Sequence, residues 1–464
     1  MKKIILIVFL VLPLLAQSQQ QANLLGQWSD STLVASTDHN NNYNEVWGIV
    51  HNNREYAIIG TTAGTHFIDV TDPTTPTEVA YVAGKAQGQI IIHRDYHDYG
   101  GYIYAVADEG NSSLQIIDYS NLPTSVSVVY DADSLIRRSH NIFIDTTSAK
   151  LYSLSNATNS TYQAMAIIDL SNPVNPTFVG SYNNFGGTVV SHVHDAFIRN
   201  DTAYLNCGGD GFFVMDFSNT ASPQYLGGMT TYLQQGYNHS GWLNAVGDYY
   251  YMADENHNSP MKVVSVADLN DIKVLNTFTA GATHNFSIPH NQIVHDNKLF
   301  VAHYYDGLQV YDLSNPLTPN RTHFYDTYLD AARNRYEGAW GVYPFLPSGN
   351  ILISDMQSGL FVLDLSPAAK TADIKETVEL NVFPQPFNEV LNIQLENPTK
   401  TDQVQVSLMD ITGKTIINLG EHTVYSGYNQ LSLRLNDALP RGMYILNIKG
   451  QLIQSSKKVI NVAK

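Results

Sequence analysis

The chain has almost no cysteine. Cys207 is the only one among 464 residues, so no internal disulfide can form and the fold must be held by its hydrophobic core. Hydrophobic residues make up 44% of the chain, which is enough to build such a core. Cys207 lies in an apolar, strand-like stretch without a catalytic motif, which favours a buried, unreactive thiol over a nucleophile.

Positive charge is also scarce. The chain has 25 Lys and Arg against 42 Asp and Glu, a formal net charge of −17. Residues 371–464 carry nine residues of each sign, so the excess acidity lies in residues 19–370. Such a surface repels nucleic acid and anionic lipid, and we expect neither as a partner. It is compatible with cations, basic polymers or neutral glycans.

Only one long apolar run is present. It extends from Ile4 to Leu15, follows Lys2 and Lys3, and precedes small residues that suit a cleavage site. This pattern is typical of a secretory signal peptide, which we place at residues 1–18. The run is too short to anchor the protein in a bilayer. We therefore expect export, with no transmembrane segment after signal removal.

Familiar catalytic and metal-binding motifs are missing from the sequence. It contains no Gly-x-Ser-x-Gly elbow, no phosphate-binding loop and no His-Glu-x-x-His. Its Asp-rich turns do not match the twelve-residue calcium loop of an EF-hand. These absences favour a protein that is not an enzyme, without deciding the point.

What the chain does contain is a repeated phrase: an apolar strand, an Asp, a polar turn and a second apolar strand. The Asp recurs at spacings of 49, 51, 47, 49, 47 and 52 residues, with Ser replacing it in the fifth copy. The repeat positions are Asp69, Asp118, Asp169, Asp216, Ser265, Asp312 and Asp364. A period near fifty is typical of one four-stranded propeller blade. In each copy, we expect the Asp to bond the backbone of the following turn.

The fold class predicted is all-β, a seven-bladed β-propeller followed by a small C-terminal β-sandwich. The propeller is placed at residues 45–366. Residues 19–44 include one apolar strand that could close its ring. A short polar linker covers residues 367–377, and residues 378–464 read as the sandwich because short strands alternate there with turn signals.

The C-terminal segment resembles the sorting domain of the type IX secretion system of Bacteroidetes. The resemblance rests on Phe383-Pro384-Gln385-Pro386-Phe387, on the Asp410 to Lys414 turn, on Gly442-Met443-Tyr444 and on the Lys457-Lys458-Val459-Ile460 terminus. It implies that the type IX machinery is a partner of residues 378–464. It also implies that the protein is secreted or held at the cell surface.

The propeller resembles the bacterial surface proteins called choice-of-anchor B, which are built from LVIVD repeats. Matching phrases are Glu45-Val46-Trp47-Gly48, Gly64 to Asp69, Ala253-Asp254-Glu255, Pro289-His290-Asn291, Asp326-Thr327-Tyr328 and Trp340 to Pro344. The name of the family reflects its interchangeable C-terminal anchors, which agrees with a sorting domain after a linker. The resemblance implies no particular activity and no catalytic residues.

The most chemical feature is a histidine that recurs at the first strand of the middle blades: His97, His140, His194, His239 and His290. First strands line the central channel of a propeller, so these imidazoles are expected to converge. They could ligate a divalent metal ion. Alternatively, each could bond a neighbouring blade, because buried histidines commonly serve in hydrogen-bond networks.

Further candidate ligand-binding residues lie at the same level or at the end of the next strand. They are Glu45, Trp47, Asp108, Glu109, Asp254, Glu255, His303, Glu337, Trp340 and Asp355. We therefore favour an exported binding module for an extracellular glycan, protein or ion. The alternative is a metal-dependent hydrolase or lyase that acts on an extracellular polymer, because propellers host both kinds of function.

Overall fold

The computed structural model describes residues 20–282, 284–366, 376–398, 400–410, 414–435, 439–450 and 452–462. It divides the chain into two compact units, residues 1–366 and 367–464. Within those described ranges every regular element is a β-strand, which confirms the all-β class. No helix in them is long and apolar enough to cross a membrane. The predicted signal peptide and most of the predicted linker lie outside the described residues.

Two short strands, β1 (Gln20–Gln21) and β2 (Asn23–Trp28), precede a series of antiparallel sheets. The first two sheets contain β3 (Tyr43–His51), β4 (Arg54–Thr61), β5 (Gly64–Asp69), β6 (Thr77–Ala83), β7 (Arg94–Tyr99), β8 (Tyr102–Ala107), β9 (Leu114–Asp118) and β10 (Ser127–Ala132). The third contains β11 (Asn141–Asp145), β12 (Lys150–Ala157), β13 (Tyr162–Asp169) and β14 (Thr177–Tyr182). A small hairpin of β15 (Asn184–Phe185) and β16 (Thr188–Val189) follows it.

The remaining sheets of this unit repeat the pattern. The fourth and fifth contain β17 (Asp195–Arg199), β18 (Thr202–Asn206), β19 (Phe212–Asp216), β20 (Gln224–Met229), β21 (Asn238–Leu243), β22 (Tyr249–Asp254), β23 (Met261–Ser265) and β24 (Lys273–Phe278). The sixth contains β25 (Gln292–His295), β26 (Lys298–Ala302), β27 (Leu308–Asp312) and β28 (Asn320–Tyr325). The last contains β29 (Ala339–Tyr343), β30 (Ile351–Asp355) and β31 (Gly359–Asp364).

The N-terminal strands complete the last two sheets. Strand β2 pairs antiparallel with β31, with Trp28 opposite Leu360, and supplies the fourth strand of the seventh sheet. Strand β1 pairs parallel with β28 at the edge of the sixth. The first strands of the sheets contact one another in the order β3, β7, β11, β17, β21, β25 and β29, and β29 returns to β3. The sheets are therefore the blades of a closed β-propeller.

The repeated Asp ends the third strand of its blade and shapes the turn that follows. Its Oδ1 accepts a hydrogen bond from the backbone N–H two residues further on, at 2.7–3.1 Å. This is the local bond that Asp side chains make in turns, and it releases the chain from the strand. The structure confirms the role that the repeat predicts for this residue.

The core of the propeller lies between neighbouring blades. One hydrophobic cluster joins Ile58 of the first blade to Ile103 and Ile117 of the second, and all three are fully buried. Comparable clusters join other neighbouring blades. Each such side chain contributes about 1.5–3 kcal/mol when fully removed from water. This packing fixes each blade against the next and holds the first strands around the axis.

The second unit has two sheets around one core. Its strands are β32 (Glu376–Thr377), β33 (Leu380–Phe383), β34 (Val390–Asn397), β35 (Asp402–Met409), β36 (Thr415–Val424), β37 (Gly427–Arg434), β38 (Gly442–Lys449) and β39 (Ile453–Asn461). One sheet has the order β32-β39-β38-β35-β36 and the other β33-β34-β37. Leu391, Val406 and Leu446 are fully buried between them. This is the predicted β-sandwich.

Candidate functional site

Six aromatic rings form a closed circle at one end of the propeller channel. Neighbouring ring centroids in this circle are 4.0–5.0 Å apart. We call this circle the collar, and its members are His93, His140, His194, His239, His290 and Trp340. Each comes from the beginning of the first strand of one blade, from the second blade to the seventh. Four of the five predicted histidines are therefore brought together, and Trp340 joins them.

The prediction is wrong for His97, whose place in the collar is taken by His93. Strand β7 begins at Arg94, so His97 lies four residues further along the channel, about 13 Å at the rise of a β-strand. There its ring packs against Trp47 and Phe143, with centroids 4.5 and 5.3 Å apart. The sequence pair His97-Asp98 resembles the His-Asp and His-Asn pairs that contribute collar histidines in other blades. Only the strand register shows that it belongs to a deeper layer.

Strand register also places Trp47 outside the collar. Trp47 lies in the deeper layer, where its Nε1 donates to Asp98 at 2.8 Å and its ring contacts Tyr343 at 5.0 Å. Phe197 and Trp242 continue this layer, 4.9 Å apart. Trp47 thus belongs to an apolar aromatic layer of the channel, remote from the collar.

Two collar imidazoles are oriented by backbone carbonyls through their Nδ1 atoms. His194 Nδ1 donates to the carbonyl of His239 at 3.2 Å, and His290 Nδ1 donates to the carbonyl of Trp340 at 2.6 Å. Each of these bonds reaches the next blade. Because Nδ1 is engaged, Nε2 is the nitrogen that keeps a free lone pair. Such anchoring of the second ring nitrogen is typical of histidines that bind metals.

Two other collar histidines are oriented by carboxylates. His93 Nδ1 lies 2.5 Å from Glu109 Oε1, and His140 Nδ1 lies 2.9 Å from Asp108 Oδ2. Burial is the largest single influence on Asp108 and raises its pKa, but the hydrogen bond with His140 and the charges of His140, His93 and Arg138 together lower this pKa to about 2. Burial is also the largest influence on His140 and lowers its pKa, but the hydrogen bond and charge of Asp108, with the charges of Glu109 and Glu255, together raise it above its ordinary value. Asp108 is therefore ionised at neutral pH.

The remaining collar histidines are neutral at physiological pH. Burial, followed by repulsion from neighbouring imidazoles, lowers the pKa of His194 and of His239 well below the ordinary value. Burial lowers the pKa of His290 to about 3, although its bond to Trp340 acts in the opposite direction. Neutral imidazoles keep the lone pair that a metal ion requires.

Glu255 faces the collar at His239. Its Oε2 lies 3.8 Å from His239 Nε2, too far for a hydrogen bond, while its Oε1 accepts the Tyr304 hydroxyl at 2.6 Å. Two ligands of one tetrahedral zinc ion, each 2.0–2.1 Å from it, lie about 3.3 Å apart. His194 supplies a third ligand atom, within 4.8 Å of the other two. These three side chains are spaced to hold a metal ion.

A second group of potential ligands lies beside the first along the collar. His93, Asp108 and His140 each place one nitrogen or oxygen within 4.8 Å of the others. The two groups are adjacent because the rings of His140 and His194 are only 4.0 Å apart. Every residue of both groups comes from the first strand of a blade or from the end of the next strand.

A cavity of about 190 Å³ lies above the collar. Besides the collar rings and Glu255, it is lined by His39, Tyr304 and Tyr336. Tyr336 stacks on His39 at 5.8 Å and on His257 at 5.9 Å. Aromatic faces therefore surround the space next to the potential metal ligands.

Carboxyl groups form the layer beneath the collar. Asp95 Oδ2 accepts the backbone N–H of Ile142 at 2.6 Å, and Glu45 Oε2 accepts the Asn291 amide at 2.8 Å. Burial raises the pKa of Asp95 and that of Asp195 to about 7, and it raises the pKa of Glu45 well above its ordinary value. The predicted residue Glu45 thus lies in the channel below the collar.

The other predicted residues bond to structural partners. Asp254 accepts from Lys262 Nζ at 2.7 Å and is fully buried, which corrects its assignment as a ligand-binding residue. His303 lies 3.0 Å from Asp306. Two of them accept hydroxyl groups at 2.8 Å, Glu337 from Tyr328 and Asp355 from Thr327.

Sequence reasoning missed His93, Tyr304 and Tyr336. His93 precedes Arg94 and lacks the Asn or Asp neighbour that marked most of the other collar histidines. The two tyrosines lie in loops outside the repeat phrase. One available signal for His93 was Asp95, two residues later, because Asp95 occupies the same layer of the channel as Glu45 and Asp195.

Comparisons with known proteins agree with this architecture. Residues 381–462 match the secretion system C-terminal sorting domain, and residues 97–131 and 162–184 match the LVIVD repeat. The sorting domain indicates secretion through the type IX system to the cell surface or the extracellular space. No curated protein matches the chain.

Solved structures align with the chain at low sequence identity. The periplasmic gluconolactonase of Pseudomonas aeruginosa is 11% identical, with a TM-score of 0.50, and the alignment covers 85% of this chain and 99% of that one. PorZ, a surface component of the type IX secretion system of Porphyromonas gingivalis, is 10% identical, with a TM-score of 0.45. That alignment covers 94% of this chain but only 61% of the length of PorZ. The gluconolactonase likeness supports the propeller fold alone.

Proposed function

We propose that this exported propeller is a binding module whose collar takes up a divalent transition-metal ion. The observation that carries the proposal is the gap between His239 Nε2 and Glu255 Oε2 at 3.8 Å. Neither atom bonds the other, and the Tyr304 hydroxyl holds the carboxylate in place through its second oxygen. His194, anchored through Nδ1, completes a set of two imidazoles and one carboxylate.

The donor atoms define the class of ion. Imidazole nitrogen combined with one carboxylate suits Zn²⁺, Mn²⁺, Fe²⁺ or Cu²⁺, whereas Ca²⁺ takes six to eight oxygen ligands. Three protein ligands leave at least one coordination position open toward the cavity. An ion held in this way could bind a small ligand from the extracellular medium.

The alternative is a metal-dependent hydrolase or lyase acting on an extracellular polymer. The cavity next to the collar measures about 190 Å³, below the range of about 300–1,000 Å³ typical of pockets for drug-sized ligands. Tyr336 and His39 lie against the collar on the solvent side of that space. This space is small for a segment of a polymer, so we favour binding of an ion and a small ligand over cleavage of a polymer.

The metal content of the purified protein tests this proposal. We expect the exported chain, incubated with Zn²⁺ and dialysed without chelator, to retain the ion in stoichiometric amount by plasma mass spectrometry. His239→Gln and Glu255→Gln should each weaken retention at least tenfold, because each removes one of three ligands. His97→Gln changes a channel histidine outside the collar and should retain the ion. An ion-free wild type would refute the metal site and direct attention to glycan or protein ligands.

A further inference from the structure

We infer that the collar holds a second divalent ion, bound by His93, Asp108 and His140, next to the first. This inference rests on the proposed function, since the first ion occupies the same collar. The two ligand groups share no residue: His194, His239 and Glu255 form one, and the three residues named above form the other. The structure therefore assigns four of the six ligands to collar histidines and two to adjacent carboxylates, without competition between the groups.

The size of the collar favours two ions over a single shared ion. Six rings with neighbouring centroids 4.0–5.0 Å apart lie about 4.5 Å from their common centre. An imidazole nitrogen binds zinc at about 2.0–2.1 Å, so the ion lies closer than about 4.5 Å to a ligating ring even when the distance from nitrogen to ring centroid is added. An ion bonded to His194 and His239 therefore lies on their side of the axis, and His93 and His140 form a separate pair of potential ligands.

The second group is built in the same manner as the first. Glu109 fixes His93, because its Oε1 lies 2.5 Å from His93 Nδ1 and its Oε2 accepts the backbone N–H groups of Ile92 and His93 at 3.0 Å each. Asp108 adds a carboxylate beside His140, with its Oδ2 2.9 Å from His140 Nδ1. The group thus offers two imidazoles and one carboxylate.

Asp108 and His140 hold one proton between them at 2.9 Å. A metal ion that replaces this proton needs its two ligand atoms about 3.3 Å apart, so the pair has to open by about 0.4 Å. His140 then binds through Nδ1 as the neutral tautomer protonated on Nε2, the proton displaced from Nδ1 passes to Nε2 or to solvent, and His93 supplies the third ligand. The first group must close by a similar amount. One pair of ligand atoms in each group is therefore within about 0.5 Å of the spacing that a tetrahedral ion requires, and the third lies within 4.8 Å of both.

The two sites adjoin along one edge of the collar. The rings of His140 and His194 belong to different groups and are 4.0 Å apart. Metal pairs in proteins are commonly about 3.5–4 Å apart and act on one ligand together. The collar is thus arranged as a two-metal centre that faces the 190 Å³ cavity.

Zn²⁺ titration against a chromophoric chelator tests the inference, with the number of tightly bound equivalents as its readout. We expect two equivalents for the wild type, one for Asp108→Asn, one for Glu255→Gln and none for the double variant. Asp210→Asn removes a negative charge that bonds Ser191 outside both groups and should leave two. If the wild type binds one equivalent and Asp108→Asn still binds it, the second site is refuted and the first site stands. No equivalent in the wild type would refute the proposed function as well.

A spectroscopic measurement on the wild type makes the test independent of variants. Cu²⁺ added at one and then two equivalents should give a second spectrum that is broadened by coupling between neighbouring spins in electron paramagnetic resonance. A two-equivalent spectrum that is simply twice the first would show isolated ions and overturn the inference. Circular dichroism with chelator present establishes that each variant is folded before its stoichiometry is compared.

Discussion

The buried ion pair between Lys262 and Asp254 gives a sharp prediction for stability. Both side chains are fully buried, and Lys262 Nζ lies 2.7 Å from Asp254 Oδ2. Lys262→Met keeps the length of the side chain but leaves a buried carboxylate without its cation. Breaking a buried pair in this way costs about 3–5 kcal/mol. We expect a loss of that size in the free energy of unfolding of the propeller.

The double variant Lys262→Met/Asp254→Asn separates charge from packing. The asparagine oxygen can still accept the Tyr232 hydroxyl, which lies 2.8 Å from Asp254 Oδ1, and no unpaired charge remains. We expect it to lose about 1–2 kcal/mol, less than Lys262→Met alone, because neither side chain then carries a buried unpaired charge.

Guanidinium unfolding followed by tryptophan fluorescence measures these differences at the midpoint of the propeller transition. The zinc content of the double variant should equal that of the wild type, because Asp254 lies outside the collar. A double variant that is less stable than Lys262→Met alone would refute the pairing. Loss of zinc in the double variant would instead restore Asp254 as a ligand.

Three further predictions concern other parts of the propeller. Burial raises the pKa of Asp355 to about 6, so its contribution to stability is complete below pH 4 and is lost as the pH rises through 6. The Asp355→Asn variant should remove about 2–3 kcal/mol of this pH dependence, measured by unfolding between pH 4 and 8. A Cβ on Gly26 would lie 2.3 Å from the carbonyl oxygen of Pro73, so Gly26→Ala should destabilise the closing strand by about 1–3 kcal/mol, and an unchanged denaturation midpoint would contradict this. Cys207 is fully buried, and burial raises the pKa of its thiol; a maleimide should label it only after unfolding, and rapid labelling of the native protein would contradict its burial.

The repeat was readable in the sequence because it is a local signal. The Asp at the end of each third strand bonds its own turn, so the phrase needs no distant partner to be recognised. Apolar residues on either side bury between blades and repeat with the same period. Local patterns of this kind determine the strands and their order, and these features were predicted from the sequence.

The collar was only partly readable because its geometry depends on register between blades. Placing His97 rather than His93 in the collar is an error of four residues, which the start of β7 at Arg94 decides. The bonds that orient His194 and His290 reach residues 45 and 50 positions away. Asp254 and Glu255 are both acidic residues at the end of a second strand, so the sequence treats them alike. Only the contact of Asp254 with Lys262 on the next strand shows that Asp254 belongs to a buried ion pair.

X-ray absorption at the zinc edge tests the central claim most directly. The account predicts that the zinc-loaded protein shows a shell of nitrogen and oxygen atoms near 2.0–2.1 Å, with the outer-shell scattering of at least two imidazoles per ion. In Glu255→Gln, measured at the same zinc-to-protein ratio, the spectrum should change, whereas in His97→Gln it should not. A spectrum with oxygen ligands alone and no imidazole scattering would place the ion outside the collar and contradict the account.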